Sequence, residues 1–354
     1  MLNFLSQTTL QKFARVVVWC LAGIALLWQL PIPPDTIEHS YSRNIFPVVA
    51  FVVIHLTDWL PFSLMGTVLI ALFVGVIVLF TRVKSFWQKK PPLIPILGHI
   101  VLGALAIYGA FLLLWGANYR RLGTETLLKL EPNKVQAANL ENIAKKLLKT
   151  IQTTQNAARE FHPALESIRH AIRQQIKSVT GVTPTLPSRV KVTPAGVLFV
   201  LNTSGVVSPF TLEAHVDGAL PEPFLLAVSA HELVHTSGFA GEADTDLLAA
   251  LAGLKAENPY ARYGVALWYF ARVLGNLPED MQKALAKELP QGARADYQAM
   301  RQAQRRYSLP LLAEIAQFFY GGYLRSQGVH AGVADYSRIG RLLAAADIAM
   351  LTNP

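Results

Sequence analysis

Cysteine is almost missing from this chain. Cys20 is the only one in 354 residues, so no disulfide can form within it and no zinc site can rest on several thiolates. Charge is scarce too. Only 16% of residues are Asp, Glu, Lys or Arg, and 52% are apolar, where a soluble protein carries about 25% charged residues. Mean hydropathy is +0.33. This balance argues against an ordinary cytosolic enzyme. It also excludes intrinsic disorder, which needs low hydrophobicity and high charge. Acidic residues are the scarcer sign, 23 against 32 basic, for a net charge of +9. Internal repeats and low-complexity tracts are absent, and nothing in the pattern points to a nucleic-acid partner. The length allows roughly two domains.

What the chain does have is long apolar runs, concentrated in its first third. They cover about 13–30, 63–80 and 93–115. Each holds roughly 18–23 residues, enough at ~1.5 Å per residue to cross the ~30 Å hydrocarbon core. We expect three transmembrane helices. A cleaved signal peptide is the alternative for the first, but the run is long for one and has no clear small-x-small site before Pro31. His99 in the third run suits an interface or helix contact better than an intramembrane functional group. Lys12 and Arg15 precede the first run, and Arg82, Lys84, Lys89 and Lys90 fill the loop between the second and third. The first loop holds Asp35, Glu38 and Asp58 against Arg43 alone. Positive charge stays cytoplasmic, so this loop and everything after about Trp115 are expected outside. The stretch 45–60 is apolar but short, and reads as an outer interfacial helix. A fourth crossing there would reverse the orientation of the rest.

Residues 119–180 read as a basic helical stalk, with 11 Lys and Arg against 5 Asp and Glu between Arg120 and Lys177. Its apolar face is Leu140, Ile143, Ala144, Leu147, Leu148 and Ile151, at three-to-four spacing. A basic stalk close to a membrane could bind anionic headgroups; a plain solvated helix face is the simpler reading. From 181 the character changes. Arg189–Asn202 and Gly205–Val216 are rich in β-branched residues and alternate as strands do. After Pro223 the pattern is helical to the end. Residues 1–118 thus form a membrane domain and 181–354 an α+β, mainly α, domain.

Chemistry concentrates after Pro223. His231-Glu232-Leu233-Val234-His235 is a complete H-E-x-x-H. Histidines four apart share one helical face with Cβ atoms about 5–6 Å apart, close enough for both rings to reach one metal. Glu232 is then placed to hold a metal-bound water and take its proton. Gly238 ends this helix and permits a sharp reversal. Glu242, seven residues past His235, and Asp246, one turn further, open a second helix over about 242–256. Two His and one Glu leave a fourth position for water, as in a catalytic zinc site. Glu242 is the expected third ligand, and Asp246 the carboxylate that orients a ligating His. Asp244 and His215 are rival ligands, and helix-dipole compensation is the bland explanation for the two acids. A substrate peptide could add to the strand 206–216, bringing Glu213 and His215 near it; a polar turn is the alternative.

At this point the chain resembles a known family. The matching pieces are Pro61-Phe62-Ser63, Leu114-Trp115-Gly116-Ala117-Asn118-Tyr119-Arg120, Ser208-Pro209-Phe210-Thr211 with Glu213-Ala214, HELVH with Gly238-Phe239-Ala240, Glu242, Tyr323-Leu324, and 332–338. They resemble the domain of unknown function 3810 family, bacterial multi-pass membrane proteins with a metallopeptidase-like motif. Relatives often carry Asn where this chain has Asp246. The H-E-x-x-H with its following Glu242 points to a gluzincin-type zincin domain, and the Lys and Arg pattern puts it on the extracytoplasmic side of the cell membrane. Within the matched C-terminal segment, Tyr336 and Arg338 are the first candidates to stabilise an oxyanion, with His330 behind them. The expected function is a membrane-anchored zinc metallopeptidase acting on peptide or protein substrates. The alternatives are a signalling protease of the envelope and a non-catalytic zinc-containing sensor or scaffold. An intramembrane protease fits poorly, because only about seven apolar residues precede His231.

Overall fold

The computed structural model describes residues 7–88, 93–327 and 338–352. The chain opens with α1 (Gln7–Leu27). A single turn (Pro34–Thr36) and a π-helical stretch (Ile37–Ile45) lead into α2 (Phe46–Thr57), and then follow α3 (Leu64–Gln88) and α4 (Leu93–Leu114). Among the described residues two helices are long and apolar enough to cross a membrane, α3 over Leu64–Arg82 and α4 over Ile94–Leu114. No residue of the α3 window is buried in the protein. α1 carries Lys12 and Arg15 near its start and packs along α4. Gly109 makes that approach possible, because a Cβ there would strike the Leu21 carbonyl oxygen. α2 has 12 residues, about 18 Å of helix and too short to cross. It buries Phe46, Ala50 and Ile54 and exposes Val48, Phe51, Val52 and Leu56.

The segment expected as a stalk supplies two amphipathic helices, α5 (Ala137–Thr154) and α6 (Phe161–Thr180). A reciprocal Gln136–Asn139 capping box starts α5, which satisfies two orphan N–H groups. Gly181, at φ 76°, ends α6 in the left-handed region. Leu140, Ile143, Ala144, Leu147, Leu148 and Ile151 are all buried. They do not face a separate stalk interior. Both helices join one apolar core with the later helices, so 137–180 is built into the domain.

Strands are few and short: β1 (Lys191–Thr193), β2 (Gly205–Val207) and β3 (Ala214–Asp217). The sheet order is β1-β3-β2, with β1 parallel and β2 antiparallel to β3. β2 is therefore an edge strand. The rest of the expected strand over 189–202 is turn and a 3-10 helix at Phe199–Leu201, where Asp217 accepts from the N–H groups of Gly196, Leu198 and Phe199 at 2.7, 2.7 and 3.1 Å. That carboxylate bends the chain away from extended form. Helices α7 (Glu222–Thr236), α8 (Glu242–Leu254), α9 (Pro259–Leu274), α10 (Glu279–Lys287), α11 (Gln291–Tyr307), α12 (Pro310–Ser326) and α13 (Ile339–Thr352) complete the described chain.

α7 is buried from Pro223 to Thr236 apart from Leu225. A helix apolar all round belongs at a centre, and α7 packs against α6, α8, α9 and β3. The domain is also tied to its apolar helices. The Glu213 carboxylate accepts from the backbone N–H of Leu64 and Met65 at 2.9 and 2.8 Å and pairs with Lys191 at 2.6 Å. An anion at a helix N-terminus satisfies orphan donors and complements the dipole, so Glu213 caps α3. His215 Nε2 meets Ser63 Oγ at 2.8 Å beside it.

Candidate metal centre

α7 holds His231 and His235 one turn apart, and α8 returns over them. The reversal turns on Gly238, whose φ is 90°. A side chain there would be strained by its backbone and would meet the Phe46 ring. The return sets the Glu242 Oε2 atom 3.2 Å from His231 Nε2 and 3.4 Å from His235 Nε2, while the two Nε2 atoms are 3.1 Å apart. Ligand atoms of these three buried residues all lie within 4.8 Å of one another.

The remaining ring nitrogens decide what this cluster wants. His231 Nδ1 donates to Asp246 Oδ1 at 2.9 Å, and His235 Nδ1 donates to the Phe239 carbonyl at 2.7 Å. Each ring therefore carries its proton on Nδ1 when neutral, and each Nε2 presents a lone pair. Two lone pairs and a carboxylate oxygen converge on one point with no donor between them. Such a set repels itself unless a cation or a proton sits at the centre. Burial opposes a charged His231, but Asp246 and Glu242 outweigh it and push its pKa up to about 10. Burial also works against ionised Glu242, yet His235 and His231 hold it well below the usual carboxylate range. The donor types and their convergence fit Zn²⁺, which takes His nitrogen and carboxylate oxygen in four-coordinate sites with an open position.

A second layer fixes these groups. Asp246 is completely buried; it accepts from Tyr269 Oη at 3.1 Å and pairs with Arg272. Burial would raise its pKa, but Arg272 and His231 bring it below the ordinary carboxylate value. Thr245 Oγ1 donates to the Phe239 carbonyl at 3.0 Å, sharing the oxygen that orients His235. Tyr320 Oη donates to Glu242 Oε1 at 2.5 Å. Trp115 Nε1 donates to the His235 carbonyl at 3.0 Å, which ties the end of α4 to the centre.

Glu232 is 4% exposed and reaches to β2, where a Cβ on Gly205 would collide with its carboxylate. Burial pushes its pKa up to about 7, against the pull of His231 and His235. A cleft of about 870 Å³ opens above these groups. β2 and the loop before it form one wall. Ala316, Gln317, Tyr320 and Tyr323 of α12 form another, and Phe111, Trp115 and Tyr119 close the end at α4.

His231, Glu232, His235, Glu242 and Asp246 thus come together. Asp244 turns away, accepting from the N–H and Oγ1 of Thr124 at 2.7 and 2.5 Å. His215 and Glu213 point to the start of α3 and not to the cleft. Arg338 pairs with Glu125 and is not among the cleft residues. Tyr336 and His330 lie outside the described residues. Tyr320, Arg272 and Tyr269 were not anticipated. Arg272 and Tyr269 stand 26 and 23 positions past Asp246, beyond any local spacing rule. Tyr320 sits in an aromatic run, Phe318-Phe319-Tyr320, that reads as packing.

A family model described as a protein of unknown function, DUF3810, matches residues 41–344. The chain belongs to that family. No curated protein and no solved structure matches it.

Proposed function

We propose that this member of the DUF3810 family is a membrane-anchored zinc metallopeptidase. The observation that carries the reading is the convergence of His231, His235 and Glu242 beneath a cleft into which Glu232 also faces. Zn²⁺ held there would act as a Lewis acid and lower the pKa of a bound water. Glu232 is positioned to take that water's proton. Its carboxyl is held near neutrality, where a general base works best. Asp246 and the Phe239 carbonyl keep each His in the tautomer that offers Nε2. Tyr320 is the phenol within reach of the centre. β2, an edge strand with its free side along the cleft, offers backbone groups to an extended peptide.

Anchoring rests on α3 and α4, with α1 as a third crossing. Leu21 meets Gly109 six residues before the end of α1 and five before the end of α4. A parallel pair finishing at one level would also bring together the segments just past the two helices. Just beyond them Arg120 stacks over Trp28 at 4.2 Å and donates to the Leu30 carbonyl at 3.1 Å. A helix packed along a candidate membrane span and ending beside its end supports a crossing of its own. With Lys12, Arg15, Arg82 and Lys84 inside, the domain faces the extracytoplasmic side.

The test is cleavage of a fluorogenic peptide library by the purified full chain. Wild type should cleave. Glu232→Gln should lose about 10²–10⁴-fold while keeping the same zinc content, since Glu232 is not a ligand. Equal cleavage by both would refute the peptidase reading.

A further inference from the structure

α12 has two faces of opposite character. Ala316, Gln317, Tyr320 and Tyr323 line the cleft. On the other side Leu311, Ile315, Phe318 and Phe319 recur at three-to-four spacing and are 70, 44, 73 and 69% exposed. Gly322 continues this stripe, and Leu312 flanks it at 42% exposed. Between Pro310 and Ser326 the only charged residues are Glu314 and Arg325. A soluble surface helix shows the reverse pattern, polar side out.

Two further observations say what covers this face. The first is continuity with the membrane helices. The Tyr323 ring lies 6.2 Å from Phe111 in the last turn of α4 and 5.8 Å from Tyr119 just beyond it. The end of α12 therefore meets the outer end of a helix apolar enough to cross a membrane. The second is charge. Arg301, Arg305 and Arg306, all exposed, stand in the last turns of α11, directly before α12. An exposed apolar helix face with basic residues beside it suits a helix lying in a bilayer interface, where arginines meet lipid phosphates.

We propose that α12 is seated in the outer surface of the bilayer, with Leu311, Ile315, Phe318 and Phe319 in the acyl boundary and the three arginines among headgroups. The cleft on its inner face then opens at the membrane surface, and its substrate is a polypeptide tethered to that membrane. This substrate class rests on the peptidase reading; the seat of α12 does not. Tethering supplies effective concentration. A segment held at the level of the cleft meets it as an intramolecular partner would.

The seat is tested on the full chain with Cys20 replaced by Ser and one new cysteine, reconstituted in phosphatidylethanolamine–phosphatidylglycerol vesicles. A bimane label at Phe318→Cys should be shielded from aqueous iodide and quenched by a lipid-borne quencher. A label at Glu279→Cys on α10 should respond the opposite way. Equal iodide quenching at both positions would overturn the proposal. The substrate class is tested with the fluorogenic peptide library, free and N-myristoylated, in the same vesicles. Wild type should cleave the myristoylated library at least about tenfold faster. The Phe318→Glu/Phe319→Glu variant should lose that preference while retaining its rate on free peptide and its zinc. An unchanged preference in the variant would overturn a role for α12 in presenting the substrate. The same library on a transmembrane helix separates a bilayer-inserted substrate from a lipidated one. Cleavage of no peptide in any form would refute the peptidase reading and the substrate class with it, while the label data still decide where α12 lies.

Discussion

At the scale of the residue, the centre is governed by where protons are held. Both imidazoles turn Nδ1 to fixed acceptors, so both Nε2 atoms meet each other and Glu242 around a point that a proton or a cation must occupy. H-E-x-x-H, Glu242 and Asp246 were legible in the sequence because a helix repeat and a short reversal are local rules. Arg272 and Tyr269, which hold Asp246, were not, because they arrive from the next helix. This dependence on Asp246 is measurable. Asp246→Ala frees the His231 ring and leaves Arg272 without its buried carboxylate; zinc affinity or activity should fall by roughly 10–100-fold. Glu242→Gln replaces a charged ligand by an amide and should lose more. pH adds a sign. His231 is pushed up to about 10 by its acidic neighbours, so below that pH zinc must displace a proton. Competition titrations should find zinc binding tighter as pH rises, with a proton released on binding; a pH-independent affinity would contradict the protonation scheme.

At the scale of the element, the edge strand β2 and α7 constrain each other at one position. Gly205 on β2 lies so close to Glu232 that no side chain fits without moving the carboxylate. Gly205→Ala should therefore keep zinc and fold, and cut cleavage by roughly 10²-fold, as a misplacement of about 1 Å does. Full activity in this variant would show that Glu232 acts from another rotamer. The helices were readable where local signals are strong: the three-to-four apolar spacing in α5, and the prolines before and Gly238 after α7. The strand expected over 189–202 shrank to three residues because Asp217, far along the chain, gathers three backbone N–H groups into a turn. Likewise the basic character of 120–177 suggested a solvated stalk. The lysines do face water, but the opposite faces of α5 and α6 close the domain core. Composition reports the outer face of a helix and is silent on what its inner face meets.

At the scale of the whole molecule, the apolar N-terminal helices and the domain are joined through polar locks as well as apolar contact. Glu38, fully buried in the π-helical stretch, accepts from Arg43 and from two nitrogens of Arg121, which also donates to the Gly238 carbonyl at 2.8 Å. Glu213 caps α3, and Trp115 holds the His235 carbonyl. The His231, His235 and Glu242 cluster is thus held against the apolar helices at several points, which suits the proposal of a cleft at a fixed height above a bilayer. A reporter enzyme fused after Pro354 should be active only in the extracytoplasmic form, and a cytoplasmic signal would contradict the three-crossing scheme. None of these joints could be read from sequence, since each links residues brought together only by the fold. Zinc at His231, His235 and Glu242 is tested most directly by metal analysis of the purified, detergent-solubilised chain beside its His231→Ala and His235→Ala variants. About one zinc per chain is expected in wild type and none held stoichiometrically in either variant, because two remaining protein ligands fall short of the usual three in such a site; zinc retained in full by both variants would contradict it.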